Sequence, residues 1–472
     1  MSSQSVQKGA FTTLISVFFF WGFVAASNDI LIPVFKENLH LTQWQSQLVS
    51  FAFYVAYTVG SVIYFGLGAL TGGDLLNKIG YKNGVALGLV ISALGTLLFI
   101  PAAQTESFGL FISGLFTVGL GFSLQQTAAN PLAINMGDPK TGSQRLSLAG
   151  GINNVGTTIG PLLVSLAIFG SVSSNNSIAD IGSIQIPYLI LGAAFLLVAF
   201  LFKISSIPDT LTTADTAVSD DTPSRKSALQ YPQLVLGMIA IFVYVGVEVS
   251  TVSNLPEFLK QNNGMATDEI APWVSLYWAS LMIGRWTSAV GAFGAEKSTK
   301  ALLRWLVPYL AFGVFAGVNY ILGHSISRFA PYLAVILVII AADLLSKGSP
   351  SRQLLYFSLT AITALLIGMF SSGMISVFAF ISVGLFCSTL WPCIFTLAIA
   401  GLGKHTNKGS SFLIMMIMGG GIISLLQGWI SSDDLLGIQQ SYWIGVLCFA
   451  YLAFYAVRAK AILKDQGVKI EG

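Results

Sequence analysis

Long apolar runs alternate with short polar ones along almost the whole chain. A helix needs about 20 apolar residues to cross a bilayer. On that basis spans are predicted at 11–36, 45–70, 84–104, 107–135, 144–170 and 186–204. A polar stretch follows at 205–233, SSIPDTLTTADTAVSDDTPSRKSALQYPQ. It has no apolar period and reads as a linker. Eight more spans are predicted near 234–255, 270–293, 301–323, 330–346, 353–370, 374–400, 409–430 and 438–458. The fold class is therefore all-α and polytopic, with fourteen helices. Domains are expected at 1–204 and 234–472, joined by the linker at 205–233.

Composition and charge sharpen this picture. Of 472 residues, 54% are hydrophobic and 9% are charged, against about 25% charged in ordinary soluble domains. The lipid bilayer is thus the expected partner. A net charge of +3 gives no case for nucleic acid. With the N-terminus in the cytoplasm, 19 of the 23 Lys and Arg fall in inside segments. Lys36, Lys260 and Arg328 fall outside, and Arg285 lies within a helix. The positive-inside rule then puts both termini and the linker in the cytoplasm, as in a multi-pass protein of the bacterial inner membrane. The first apolar stretch is too long for a signal-peptide core and is expected to stay as a helix. Cys387, Cys393 and Cys448 lie in apolar segments and read as buried small hydrophobes. His40, His324 and His405 are isolated, so no metal site is expected. The chain has no P-loop, no His-Glu-x-x-His and no nucleophile elbow. It is therefore not expected to be an enzyme or an ATP-driven pump, and no cofactor is expected.

The two halves repeat weakly. The first helix carries NDILIPVF and the seventh VSNLPEF; the fifth carries GGINNVGTTIGP and the penultimate one GGGIISLLQG. Such repeats suggest a transporter with a midplane site. Asp29 lies inside the first span, where an ionisable group costs about 2.5–3.5 kcal/mol on insertion scales. It reads as functional, with a structural hydrogen bond as the bland alternative. Aligning the halves on Pro33 and Pro256 puts Glu248 about one turn before the place of Asp29. Gln125, Gln126 and Asn130 fall on the fourth helix, Asn153 and Asn154 on the fifth. Amides both donate and accept, which suits a ligand rich in hydroxyls. Gln126 and Asn130 share a helix face. Neighbours in sequence cannot both face inward, so Gln126 and Asn153 are favoured over Gln125 and Asn154. Trp278 and Trp391 are candidates to stack a ligand ring, with membrane-belt or packing roles as the alternative. Arg285, at the cytoplasmic end of the eighth helix, reads as a gating or anchoring residue.

The loop GDLLNKIGYK, 73–82, resembles the cytoplasmic motif of the major facilitator superfamily, Gly-x-Leu-Ala-Asp-Arg-x-Gly-Arg-Arg. Gly73, Leu75, Lys78, Gly80 and Lys82 match, and Asn77 replaces the usual Asp. WGFVAASNDILIP, LQQTAANP, FVYVGVEVS, MIGRW, PCIFTLAIAGLG and GSSFLIMMIMGGGI together resemble the fucose/galactose/glucose:cation symporter family, in order and over nearly the whole chain. The resemblance implies the major facilitator fold, two pseudo-symmetric six-helix bundles, and cation-coupled uptake of a hexose by alternating access. Gln126 stands where the fucose branch has Glu, and Glu248 where that branch has an amide. This combination looks like the glucose/galactose branch. SRQLLYFSLTAITALLIGMFSS resembles the ninth helix of the family, so residues of about 301–347 become an inserted helix pair, expected on the outside of the C-terminal bundle.

By the same resemblance Asp29 is the cation-coupling carboxylate, with Glu248 as the second candidate. The coupling ion is H⁺ or Na⁺, and a Na⁺ near Asp29 would find amide oxygens in the same motifs. Asn28, Gln126, Asn130, Asn153, Trp278 and Trp391 are expected to bind sugar, and Asn153 matches an Asn of the fucose branch. Gly73, Lys78, Gly80, Lys82 and Arg285 are expected to serve gating at the cytoplasmic face. A monomer is expected. The alternatives are an L-fucose or N-acetylhexosamine:H⁺ symporter, a drug:H⁺ antiporter and a non-transporting sugar sensor. GTTIGP, 156–161, resembles the front of the antiporter motif, but Leu162 to Ser165 replace its trailing glycines.

Overall fold

The structure, a computed structural model, describes residues 8–70, 75–135, 142–169, 181–205, 207, 227–290 and 297–468. Those residues contain helices and turns and no strand. In lipid each backbone N–H and C=O must be paired inside its own segment, and a helix does this. The long helices of the first half are α1 (Lys8–Asn38), α2 (Leu48–Leu70), α3 (Tyr81–Leu97, extended by Phe99–Gln104), α4 (Phe108–Asn135), α5 (Gly142–Phe169) and α6 (Gln185–Ile204). Those of the second half are α7 (Pro232–Asn263), α8 (Ala271–Ala289), α9 (Lys297–Ile321), α10 (Tyr332–Ser346) and α11 (Pro350–Phe370). Three more follow: α12 (Gly373–Cys387 and Leu390–Ile399), α13 (Thr406–Met415 and Gly419–Ile430) and α14 (Trp443–Asp465). Among the described residues, 13 stretches are long and apolar enough to cross a membrane. The other predicted span, α8, has the length at 19 residues but carries Arg285 and five hydroxyl side chains.

The chain forms two compact units, Met1–Thr213 with Thr267–Ala271, and Ala214–Ala266 with Pro272–Gly472. In the first, α1 packs along α5, α4 packs against both α2 and α3, and α3 packs on α6. In the second, α7 packs along α13, and α11 packs on both α12 and α14. A Cβ on Gly119 of α4 would lie 2.6 Å from the Phe53 carbonyl oxygen of α2. A Cβ on Gly384 of α12 would lie 2.6 Å from the Tyr277 carbonyl oxygen of α8. Helices α7, α8 and α11 to α14 therefore repeat the packing of α1 to α6. The inserted pair, α9 and α10, has no counterpart in the first unit. It forms the outer side of the second, where Leu302, Trp305, Leu306, Leu310 and Leu337 are exposed. Lipid is the solvent that suits such a face.

One boundary and two interruptions within spans stand out against the sequence prediction. The seventh span was predicted to stop at 255, yet α7 runs through Pro256 to Asn263. Membrane helices tolerate proline because neighbouring groups satisfy the freed carbonyl. The stop comes instead at Gly264, with φ 64°, whose N–H bonds the Lys260 carbonyl at 3.1 Å. Glycine takes this left-handed cap without a Cβ penalty. The predicted span 374–400 breaks at Ser388 and Thr389. The span 409–430 is interrupted by a 3₁₀ turn, Met416–Met418, in front of Gly419 to Gly421.

Candidate functional site

In the first unit, α1 carries Asn28 and Asp29, with only 4% and 3% of their surfaces exposed. The Tyr188 hydroxyl of α6 donates to Asn28 Oδ1 at 3.4 Å. Two turns earlier, Trp21 Nε1 donates to Gln125 Oε1 of α4 at 2.7 Å. Gln125 Nε2 donates onward to Ser92 Oγ of α3 at 2.9 Å. Gln125 is fully buried and ties three helices together, which is a structural task. Its neighbour Gln126 is half-buried and donates to Tyr57 Oη of α2 at 3.1 Å. The 100° step of a helix separates these adjacent amides onto two faces. Asn130, one turn on from Gln126, is also half-buried.

On α5, Asn153 is half-buried and its Nδ2 donates to the Phe18 carbonyl of α1 at 2.9 Å. Asn154 is buried, and its Oδ1 has no hydrogen-bond partner among the described residues. The adjacent GTTIGP motif has a packing explanation. A Cβ on Gly156 would lie 2.2 Å from the Phe19 carbonyl oxygen, and one on Gly160 2.5 Å from that of Phe23. Small residues let membrane helices approach backbone to backbone. The same contact recurs in the second unit, where a Cβ on Gly419 of α13 would lie 1.9 Å from the Phe242 carbonyl oxygen of α7.

The motif at 73–82 lies between α2 and α3. Gly80 has φ 87° at the start of α3, a conformation that suits glycine. Lys82 Nζ donates to the Ser205 carbonyl just past α6 at 3.0 Å. Lys203 of α6 donates to Asn83 Oδ1 at 2.6 Å. Lys78 is exposed. Gly73 and the Asn77 side chain lie outside the described residues.

In the second unit the candidates gather around Glu248 of α7. The Tyr244 hydroxyl, one turn earlier, donates to the Glu248 carboxylate. The Tyr277 hydroxyl of α8 donates to the Glu248 backbone carbonyl at 2.7 Å. The Trp391 ring, half-buried at the start of the second part of α12, lies 6.3 Å from the Tyr244 ring. Trp278 is buried and meets Tyr277 edge-on at 5.6 Å. Arg285 Nε donates to the Ser388 carbonyl, at the break in α12, over 3.1 Å. A Cβ on Gly284 would lie 2.0 Å from Ser388 Oγ, so α8 reaches the break closely. One carboxylate, one guanidinium and several aromatic rings thus share one region. Such a set can accept from hydroxyls and cover the apolar face of a sugar ring.

Tyr57, Tyr244 and Tyr277 were not singled out from the sequence. Tyr244 had a legible signal, since it precedes Glu248 by four residues and shares its helix face. Tyr57 and Tyr277 sit in apolar runs with no such marker. Among the described residues, no group of three or more His, Cys, Asp or Glu stands together as a metal site.

Residues 9–346 match the Major Facilitator Superfamily. A glucose/galactose transporter of Brucella abortus is 34% identical over 463 residues, covering 97% of this chain and 95% of that protein. An L-fucose-proton symporter of Escherichia coli is 29% identical over 466 residues, covering 94% and 92%. The crystal structure of the Major Facilitator Superfamily transporter FucP, in the outward conformation, is similar with a TM-score of 0.63 and 28% identity. That likeness covers 95% of this chain and 98% of FucP.

Proposed function

The chain belongs to the Major Facilitator Superfamily, and we propose that it takes up a hexose of the glucose or galactose class, coupled to a cation, by alternating access. The observation that carries this reading is full-length similarity to a glucose/galactose transporter, 34% identical across 97% of the chain. Gln126 in the fourth helix and Glu248 in the seventh support the same branch. Asp29 is the coupling carboxylate, and its burial explains why its charge must be met by a cation during the cycle. H⁺ and Na⁺ are the two candidate ions, and no cofactor takes part. Gln126, Asn130, Asn153, Glu248, Trp278 and Trp391 are the candidate sugar ligands, and Asn28 adjoins Asp29 in sequence. The protein is a transporter and not an enzyme. It works as a monomer in a bacterial inner membrane, with both termini in the cytoplasm.

Uptake of labelled glucose into proteoliposomes tests this, with pH and Na⁺ gradients imposed separately. Uphill accumulation under one gradient is expected, with competition by unlabelled glucose and galactose. The Escherichia coli relative favours L-fucose as the second reading. If L-fucose competes and neither glucose nor galactose does, the branch assignment fails. Sugar binding without uptake would make the protein a sensor.

A further inference from the structure

The inserted pair is expected to meet lipid and little else, yet it carries a buried carboxylate. Asp343 of α10 is 7% exposed. Arg304 Nε of α9 stands 3.8 Å from its Oδ2. Its Oδ1 accepts from Ser288 Oγ of α8 at 3.3 Å and from Gln353 Nε2 of α11 at 3.3 Å. Gln353 Nε2 also donates to Ser288 Oγ at 3.1 Å. Gln353 Oε1 accepts from the Cys393 thiol of α12 at 3.4 Å. Five side chains from five consecutive helices therefore close one polar cluster.

Burying a carboxylate is costly, and apolar packing would hold two extra helices against a bundle without it. What the carboxylate adds is direction, because its acceptors fix particular groups in particular places. Those groups belong to the transport helices. Ser288 lies three residues beyond Arg285, on the same side of α8. Cys393 lies two residues beyond Trp391. We propose that α9 and α10 brace α8, α11 and α12, and that Asp343 is the positioning residue of that brace. It holds α8 and α11 together directly, and α12 through Gln353. The three helices then move as one body when the second unit changes conformation.

The kinetic part of this proposal rests on the transport reading, but its thiol readout needs no sugar. Cys393 and Cys448 are both buried unpaired thiols, and Cys448 lies on α14, away from the cluster. Their alkylation by a membrane-permeant maleimide is followed by mass spectrometry in wild type and Asp343→Ala. Loss of the brace should speed Cys393 labelling about tenfold, the scale of one lost contact to a buried charge, with Cys448 unchanged. In proteoliposomes the maximal rate of sugar exchange should fall at least about threefold with an unchanged KM, since no sugar ligand is touched. Ser288→Ala removes only the α8 link and no charge, so it carries the same test where Asp343→Ala does not fold. Wild-type Cys393 labelling and wild-type exchange in the variants would overturn the proposal. So would a joint rise of Cys393 and Cys448 labelling, which reports general loosening and not a local brace.

Discussion

Gln125 and Gln126 are neighbours with the same side chain, and they are expected to fail in opposite ways. Gln125→Leu leaves the Trp21 N–H and the Ser92 hydroxyl without their buried amide. Each unsatisfied buried group costs about 1–3 kcal/mol. The melting temperature of purified Gln125→Leu should fall while KM for sugar holds. Gln126→Leu gives up one half-buried bond to Tyr57 and, on the proposed reading, a sugar ligand, so KM should rise while the melting temperature holds. The reverse pattern would show that the wrong amide has been assigned to the sugar. Asp29 is the sharper case. Asn mimics its neutral form and keeps its shape, but gives the cation no charge to neutralise. Asp29→Asn should abolish uphill accumulation and keep part of the sugar exchange at equal concentrations. A purely structural Asp29 would lose both activities together, and accumulation at the wild-type level would remove it from the mechanism. Asp29 was legible because a lone carboxylate stands out in an apolar span. The partners of Glu248 were less so, because a Tyr in such a span looks like packing until a structure shows where its hydroxyl points.

Among the elements, the glycines decide which helices come close. Gly156→Ala puts a Cβ 2.2 Å from a backbone oxygen of α1, and backbone cannot step aside as a side chain can. The variant should lose stability sharply in a thermal-shift measurement. Gly317 of α9 has open space around it. Gly317→Ala should hold or raise stability by up to about 1 kcal/mol, the gain in helix propensity. Equal effects at the two sites would mean that the α1–α5 approach is not as close as described. The spans and their order were readable from apolar run length, since lipid imposes one length on every crossing helix, whereas the inserted pair was legible only through the resemblance of residues 351–372 to the ninth helix of the family. Interruptions within spans were not. The break at Ser388 and Thr389 lies in an apolar run, and α8 supplies Arg285 to the Ser388 carbonyl there. That partner is about a hundred residues away in sequence. Asp343 was visible as a letter, but its role was hidden for the same reason: Arg304, Ser288 and Gln353 meet it only through the fold.

For the whole molecule, the coupling reading makes an electrical prediction. A hexose is neutral, so one cation entering with one sugar carries one net charge across the membrane. A charge falling through 100 mV releases about 2.3 kcal/mol. Every 1.4 kcal/mol is worth about a factor of ten in a concentration ratio. An inside-negative potential of about 100 mV should therefore support roughly fiftyfold accumulation of sugar, even with pH and ion concentrations equal on both sides. A potassium diffusion potential set with valinomycin supplies that potential alone, and the internal label at steady state reads the result. The accumulation ratio should climb with the imposed voltage, and choosing H⁺ or Na⁺ as the only transportable cation identifies the coupling ion. The Asp29→Asn protein provides the internal control, because it should equilibrate sugar at every voltage without concentrating it. Accumulation that follows an ion gradient but ignores the potential would mean that no net charge enters with the sugar. One-to-one symport of a cation with a neutral hexose would then be wrong, whatever the relatives transport.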